Sequence, residues 1–385
     1  MRLTLLVLLL STSCARRAPA WSDAALVDEI GTVEERPPLE ILQGAAASDD
    51  PSPRARSLTL LIETTGPDEA LAHAAAALSD PDRWVQRAGV LGLAERLDVP
   101  GAIAALEALV SLADAPASNR GLAGEVIAGR SSTAKEVLAA AWRAAGEPWD
   151  VAPLALAAAK HGDEGALAGL AGALASGELE LDVSFLDRVG RSGLEVTDAL
   201  ATGQDLAEEE LVLAYASARL QLGDGAGEQE FRRTLSDDRT LRRLEAIDYL
   251  LDLDHASSQP LLRKARSGGP ELVTWYADLA LVIRGVGAPS VLEEAFAHTA
   301  REVRLEAVGV SERLLARPST DRKVARSARR VIEAATRDPA AEVRAAAYDA
   351  AGRHADLEAP LSDGVQDEAL AVRIEAAGAL LRRDS

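Results

Sequence analysis

One spacing recurs along this chain and restricts its possible folds more than any other feature. An Asp, often followed by Pro, stands six residues before an Arg inside an apolar helical pattern. Asp50 precedes Arg56, Asp237 precedes Arg243, Asp338 precedes Arg344 and Asp367 precedes Arg373, while Gln86 takes the Arg place after Asp80. Arg304 and Thr274 fall in the same register without an Asp before them. From position 243 onward the register residues are 31, 30, 40 and 29 apart, and the 157 residues from 86 to 243 make about five such steps. A self-similar period of this size marks a repeat array, in which each unit buries its apolar face only against its neighbours.

The surrounding residues give the register a physical reason. The position before it is usually Val (Val85, Val273, Val303, Val343, Val372), and the position three after it is small (Gly89, Ala246, Ala277, Ala307, Ala347, Ala376). Residues four apart stack on one helix face. A β-branched residue there fills the core, and a small one admits a neighbouring helix. Asp followed by Pro reads as an N-cap with proline at the first helical position. The Arg nearly two turns on can reach an adjacent unit's Asp.

An Asp and a Val-Arg in units of about 30 to 40 residues resemble HEAT repeats, closest to the short bacterial kind also found in phycocyanobilin lyase-like proteins. The resemblance implies antiparallel helix pairs, an Asp–Arg ladder between units and second helices lining a concave face. The ladder would use Asp50, Asp80, Asp237, Asp338 and Asp367 with Arg56, Arg243, Arg304, Arg344 and Arg373. The expected fold is an all-α, α-α superhelix, an extended HEAT-type solenoid of roughly ten helix pairs over 41–385. Between 116 and 230 only helical periodicity survives, as in Leu211 to Ala216, so that stretch is either degenerate solenoid or an inserted helical domain. No stretch alternates with the period of a strand.

The N-terminus reads separately. Met1-Arg2, the apolar run Leu3 to Leu10 and Ser11-Thr12-Ser13-Cys14 make an export signal over 1–13. The run is too short to cross a bilayer, which takes about 20 residues. The only cysteine directly after small residues resembles a bacterial lipoprotein signal, which implies lipid on Cys14, although Ser11 stands where that family has Leu. The other reading is a secretory signal cut near Ala18 or Ala20. Ala15 is not the Asp that retains such lipoproteins at the inner membrane, so the resemblance points to the outer one. Residues 14–40, with Pro19, Pro37 and Pro38, read as a lipidated N-terminus and tether.

Composition narrows the function. A net charge of −20 repels phosphate backbones and argues against nucleic acid. Aromatic residues make up 3%, too few for an aromatic-lined ligand pocket. With one cysteine there is neither an internal disulfide nor a thiolate cluster. His73, His161, His255, His298 and His354 lie apart, Asp252-Leu253-Asp254-His255 reads as a turn, and Gly285-Val286-Gly287 lacks the strand and Lys of a phosphate loop. No catalytic residue, metal site, cofactor or small-molecule substrate is expected.

One segment departs from the acidic background. The longest step holds Arg322, Lys323, Arg326, Arg329 and Arg330, which fall on one broad helical stripe. Either this is a solvated face balanced by Glu306 and Glu312, or it docks an acidic partner or anionic lipid. The expected function is therefore a lipid-anchored scaffold or adaptor that holds another envelope protein. The alternatives are a bilin lyase-like accessory enzyme and a passive structural element.

Overall fold

A computed structural model describes residues 21–26, 37–146, 148–177, 183–253, 255–357 and 359–384. Cys14 and the expected export signal over 1–13 lie outside them. Among the described residues every regular element is a helix. In chain order they begin α1 (Asp23–Leu26), α2 (Pro38–Ala46), α3 (Pro51–Thr64), α4 (Pro67–Leu78), α5 (Arg83–Glu95), α6 (Ala102–Ser111), α7 (Ala117–Ile127) and α8 (Ala134–Ala144). Next come α9 (Pro148–Lys160), α10 (Glu164–Ser176), α11 (Val183–Gly190), α12 (Thr197–Leu206), α13 (Glu209–Gln221), α14 (Gly227–Thr234), α15 (Thr240–Asp252) and α16 (Ser258–Gly268). The series ends with α17 (Glu271–Ile283), α18 (Ser290–Phe296), α19 (Arg301–Leu315), α20 (Arg322–Ala335), α21 (Ala341–Arg353), α22 (Leu361–Gly364) and α23 (Leu370–Asp384). The fold is all-α, built from stacked helix pairs, and the register residues fall on α3, α5, α15, α17, α19, α21 and α23.

The chain forms two compact units, one spanning 74–261 and one joining 18–73 to 262–385. In unit 1, α5 packs on α7 and α7 on α9, α11 packs on α13 and α13 on α15, while α6 packs on α8 and α10 on α12. The stretch 116–230 lies within this unit, with α5 and α15 on either side of it. Close approach decides its sequence: a Cβ on Gly121 of α7 would sit 2.6 Å from the backbone of Pro153 in α9.

In unit 2 the register helices α17, α19, α21 and α23 pack in succession, and α3 follows α23. Val273, Val303, Val343 and Val372 are fully buried, as are Ala277, Ala307, Ala347 and Ala376. The periodic Val and Ala are thus the contacts that stack the helices. The 40-residue step comes from a long first helix, since α20 has 14 residues where α18 has 7 and α22 has 4.

An extended solenoid would keep its first and last pairs apart, and unit 2 differs from that expectation. The N-terminal pair α2–α3 packs on C-terminal α23, where Leu42, Leu60 and Leu61 share a core with Ile374 and Ala377. Gly378 permits the approach, since a Cβ there would meet Leu60 Cδ2 at 2.7 Å. Trp21 packs against the same core, and Ser22 Oγ donates to Asp50. The expected tether over 14–40 therefore contains a packed segment, Trp21 with α1.

Candidate functional site

The Asp–Arg register builds a turn, and its geometry differs from the expected N-cap. Asp338 stands two residues before the N-cap Ala340 and accepts that residue's N–H at 2.9 Å. Asp80, Asp237 and Asp367 do the same for Asp82, Arg239 and Ala369 at 2.8 to 2.9 Å. Proline follows Asp80 and Asp338 because it fixes the bend between the acceptor and the cap, so it stands outside the helix. Only Asp50 is an N-cap with proline next, accepting from Ser52 N at 2.9 Å.

The Arg then ties two units together. Arg344 donates from Nη1 to the carbonyls of Asp338 and Pro339, and from Nε and Nη2 to both oxygens of Asp367 at 2.8 Å. Arg304 does likewise with His298 and Thr299, and with Asp338 at 2.7 and 2.9 Å. The hydrogen bonds to Asp338 and Asp367 raise the pKa of Arg304 and Arg344 respectively. Arg373 holds its own turn through Asp367 O and Glu368 O. Gln86 keeps the inward half of the pattern, donating to Asp80 O at 2.9 Å.

Two expected pairings are absent. Arg243 enters no ion pair among the described residues, and Asp237 binds Arg239 of its own turn at 2.8 Å. The sequence supplies Gly268, without a carboxylate, at the equivalent place of the following repeat. At the N-terminus the register slips by two. Arg54 makes the turn contacts, to Ser48 O at 2.6 Å and Asp49 O at 3.1 Å.

Arg56 instead lies buried in a second network that sequence reasoning missed. It donates to Glu375 at 2.8 and 2.6 Å and to Asp349 at 2.6 Å, so α3, α21 and α23 are joined by charge. Arg382 extends the network from Asp349 at 3.2 Å to Glu63 at 2.6 Å. Burial raises the Glu375 pKa, whereas Arg56, Arg353 and Arg382 outweigh burial at Asp349 and lower its pKa. The sequence signal was a charged residue two places past the register, at Arg56 and Glu375.

The basic stripe lies on α20. The opposite face buries Ala328, Val331, Ile332 and Ala335, leaving Arg322, Lys323, Arg326 and Arg330 exposed. Arg329 pairs with Asp356 and Arg330 approaches Glu293 at 3.5 Å. Neither expected balancing acid serves the stripe, since Glu306 is buried and Glu312 lies 3.8 Å from Arg353. Arg322, Lys323 and Arg326 carry no ion pair among the described residues. Two of the three stand in the first turn, where the helix dipole disfavours cations. Only the N-cap Asp321, which accepts from Lys323 N at 2.8 Å, opposes them locally.

No family model matches the chain, and no curated protein sequence matches it. Solved structures that are similar include an engineered protein, 17% identical over 99% of each chain with a TM-score of 0.26. Another is the UNC-45 chaperone, described for binding and folding muscle myosin, 14% identical over 90% of this chain and 46% of that chain with a TM-score of 0.20.

The histidines serve turns or pack singly. His298 Nδ1 accepts from Ala300 N at 3.0 Å and His255 Nδ1 from Ser257 N at 3.1 Å. Burial lowers the pKa of His73 and of His161. Among the described residues no three His, Cys, Asp or Glu side chains cluster as metal ligands, and no helix is long and apolar enough to cross a membrane.

Proposed function

We propose that this protein is a lipid-anchored helical-repeat scaffold of the HEAT type that holds an acidic envelope protein on the outward face of α20. The observation that carries the reading is the set of uncompensated cations Arg322, Lys323 and Arg326 in a chain of net charge −20. Stability alone favours acids at the start of a helix. Arg is suited to bidentate carboxylate recognition, so these residues fit a surface whose counter-charges come from a partner. The turns in which Arg304 and Arg344 bind the next Asp support the HEAT reading. The anchor rests on the apolar run Leu3 to Leu10 with Cys14 shortly after it, and the proposed location is a bacterial envelope, with the outer membrane favoured.

A photo-cross-linking residue at position 323, activated in cells, tests the docking face. The expected result is one acidic protein adduct that Arg322→Glu with Arg326→Glu removes. An adduct that survives the double reversal counts against this face. Cys14→Ser is expected to shift the protein out of the membrane fraction, and unchanged membrane association would rule out the anchor.

A further inference from the structure

Unit 1 presents a different kind of surface. Leu206 is 64% exposed at the end of α12, and Leu241 is 48% exposed in the first turn of α15. The turns leading into α13 and α15 lie side by side, because Arg239 pairs with Glu209 and Arg242 donates to Glu209 O at 2.9 Å. A shallow polar cleft of about 180 Å³ opens beside them, lined in part by Thr234, Asp237 and Arg239.

The cations of this edge are already engaged. Arg239 binds Asp237 and Glu209, Arg242 binds Glu245, and Arg233 binds Glu230. Asp205, Glu208, Glu210 and Asp238 enter no ion pair among the described residues. The helix dipole accounts for Glu208 and Glu210 at the start of α13. It does not account for Asp205, which lies in the last turn of α12, where a carboxylate opposes the dipole. Leu206 and Leu241, beside the turns into α13 and α15, add solvent-facing apolar side chains to this acidic edge.

We infer that this edge of unit 1 docks a basic amphipathic segment of a partner protein. Its apolar residues cover Leu206 and Leu241, and its Lys or Arg residues meet Asp205, Glu208, Glu210 and Asp238. The same carboxylates repel an anionic lipid surface. A second copy offers the basic face of α20, but that face exposes no large apolar side chain to cover the leucines.

The probe is a fluorescein-labelled Leu/Lys peptide of about five helical turns, patterned as an amphipathic helix, with a scrambled peptide of the same composition as control. The full chain is expected to bind the patterned peptide in preference to the scrambled one. Leu206→Ser with Leu241→Ser should weaken binding about tenfold or more, while circular dichroism stays unchanged because both side chains are solvent-facing. Asp205→Asn with Glu208→Gln and Glu210→Gln should flatten the salt dependence. Equal binding of the scrambled peptide would reduce the surface to non-specific attraction by an acidic chain and overturn the inference. Unchanged affinity in the double serine variant would overturn it too, as would self-association that the serines abolish, which would assign the edge to a second copy.

Discussion

Arg304 and Arg344 each divide one guanidinium between two tasks, closing their own turn through Nη1 and gripping the next unit's Asp through Nε and Nη2. That fork is what Arg offers and Lys lacks, and Gln86 replaces it with a bond to its own turn at Asp80 O and a long one, 3.4 Å, from Asn119 of α7. Charge two places further along the helix behaves differently because it is buried between helices. Glu245 of α15 is the clearest case, its carboxyl pushed up to about 7 by burial that outweighs neighbouring Arg242. With the folded value above the unfolded one, the unfolded chain ionises first as pH rises from about 4.5. Stability therefore falls between about pH 4.5 and 7 and levels off above. Glu245→Gln removes this penalty, and we expect it to stabilise unit 1 by about 1–3 kcal/mol at pH 8 with little gain at pH 4. Chemical denaturation at both pH values measures it, and an equal effect at both would show that Glu245 folds ionised.

At the scale of elements, the helices were legible because their cores repeat. Val and small residues at fixed places around the register are buried wherever the pattern is strong, from Val85 to Val372. The boundaries were less legible. Pro after Asp suggested a cap at Asp80 and Asp338, whereas the cap lies two residues on, since an Asx turn and an N-cap use the same residue types. Arg54, and not Arg56, takes the turn place for a related reason: both lie near the spacing, and only packing separates a turn Arg from a buried one. The contact of α3 with α23 left no local signal, because it joins residues 319 apart in sequence. Gly378 faces Leu60 at this contact. Gly378→Val drives a branched side chain into Leu60, at a cost of about 1–3 kcal/mol. Hydrogen exchange is expected to quicken in α2 and α3 while α5 to α7 keep their protection, as nearest-neighbour coupling requires. Unaltered protection of α3 would mean that this contact does not hold the N-terminal pair.

At the scale of the molecule, the sequence announced a helical repeat and a local reversal of charge, and the structure separates the stripe into paired and free cations. Arg329 is neutralised by Asp356, whereas Arg322, Lys323 and Arg326 face solvent. Leu206 and Leu241 escaped notice in the sequence because lone leucines at helix ends look like core until burial is known. The docking claim for α20 turns on the free cations alone, and a titration isolates them. Fluorescence anisotropy of a labelled polyglutamate peptide is followed against the purified full chain at about 50 and 300 mM salt, a range over which screening of exposed charges changes strongly. The account predicts binding at low salt that weakens steeply with salt, vanishes in the Arg322→Glu, Lys323→Glu, Arg326→Glu variant and changes little in Arg329→Glu. Wild-type affinity in the triple variant, or a loss as large from Arg329→Glu, would contradict it.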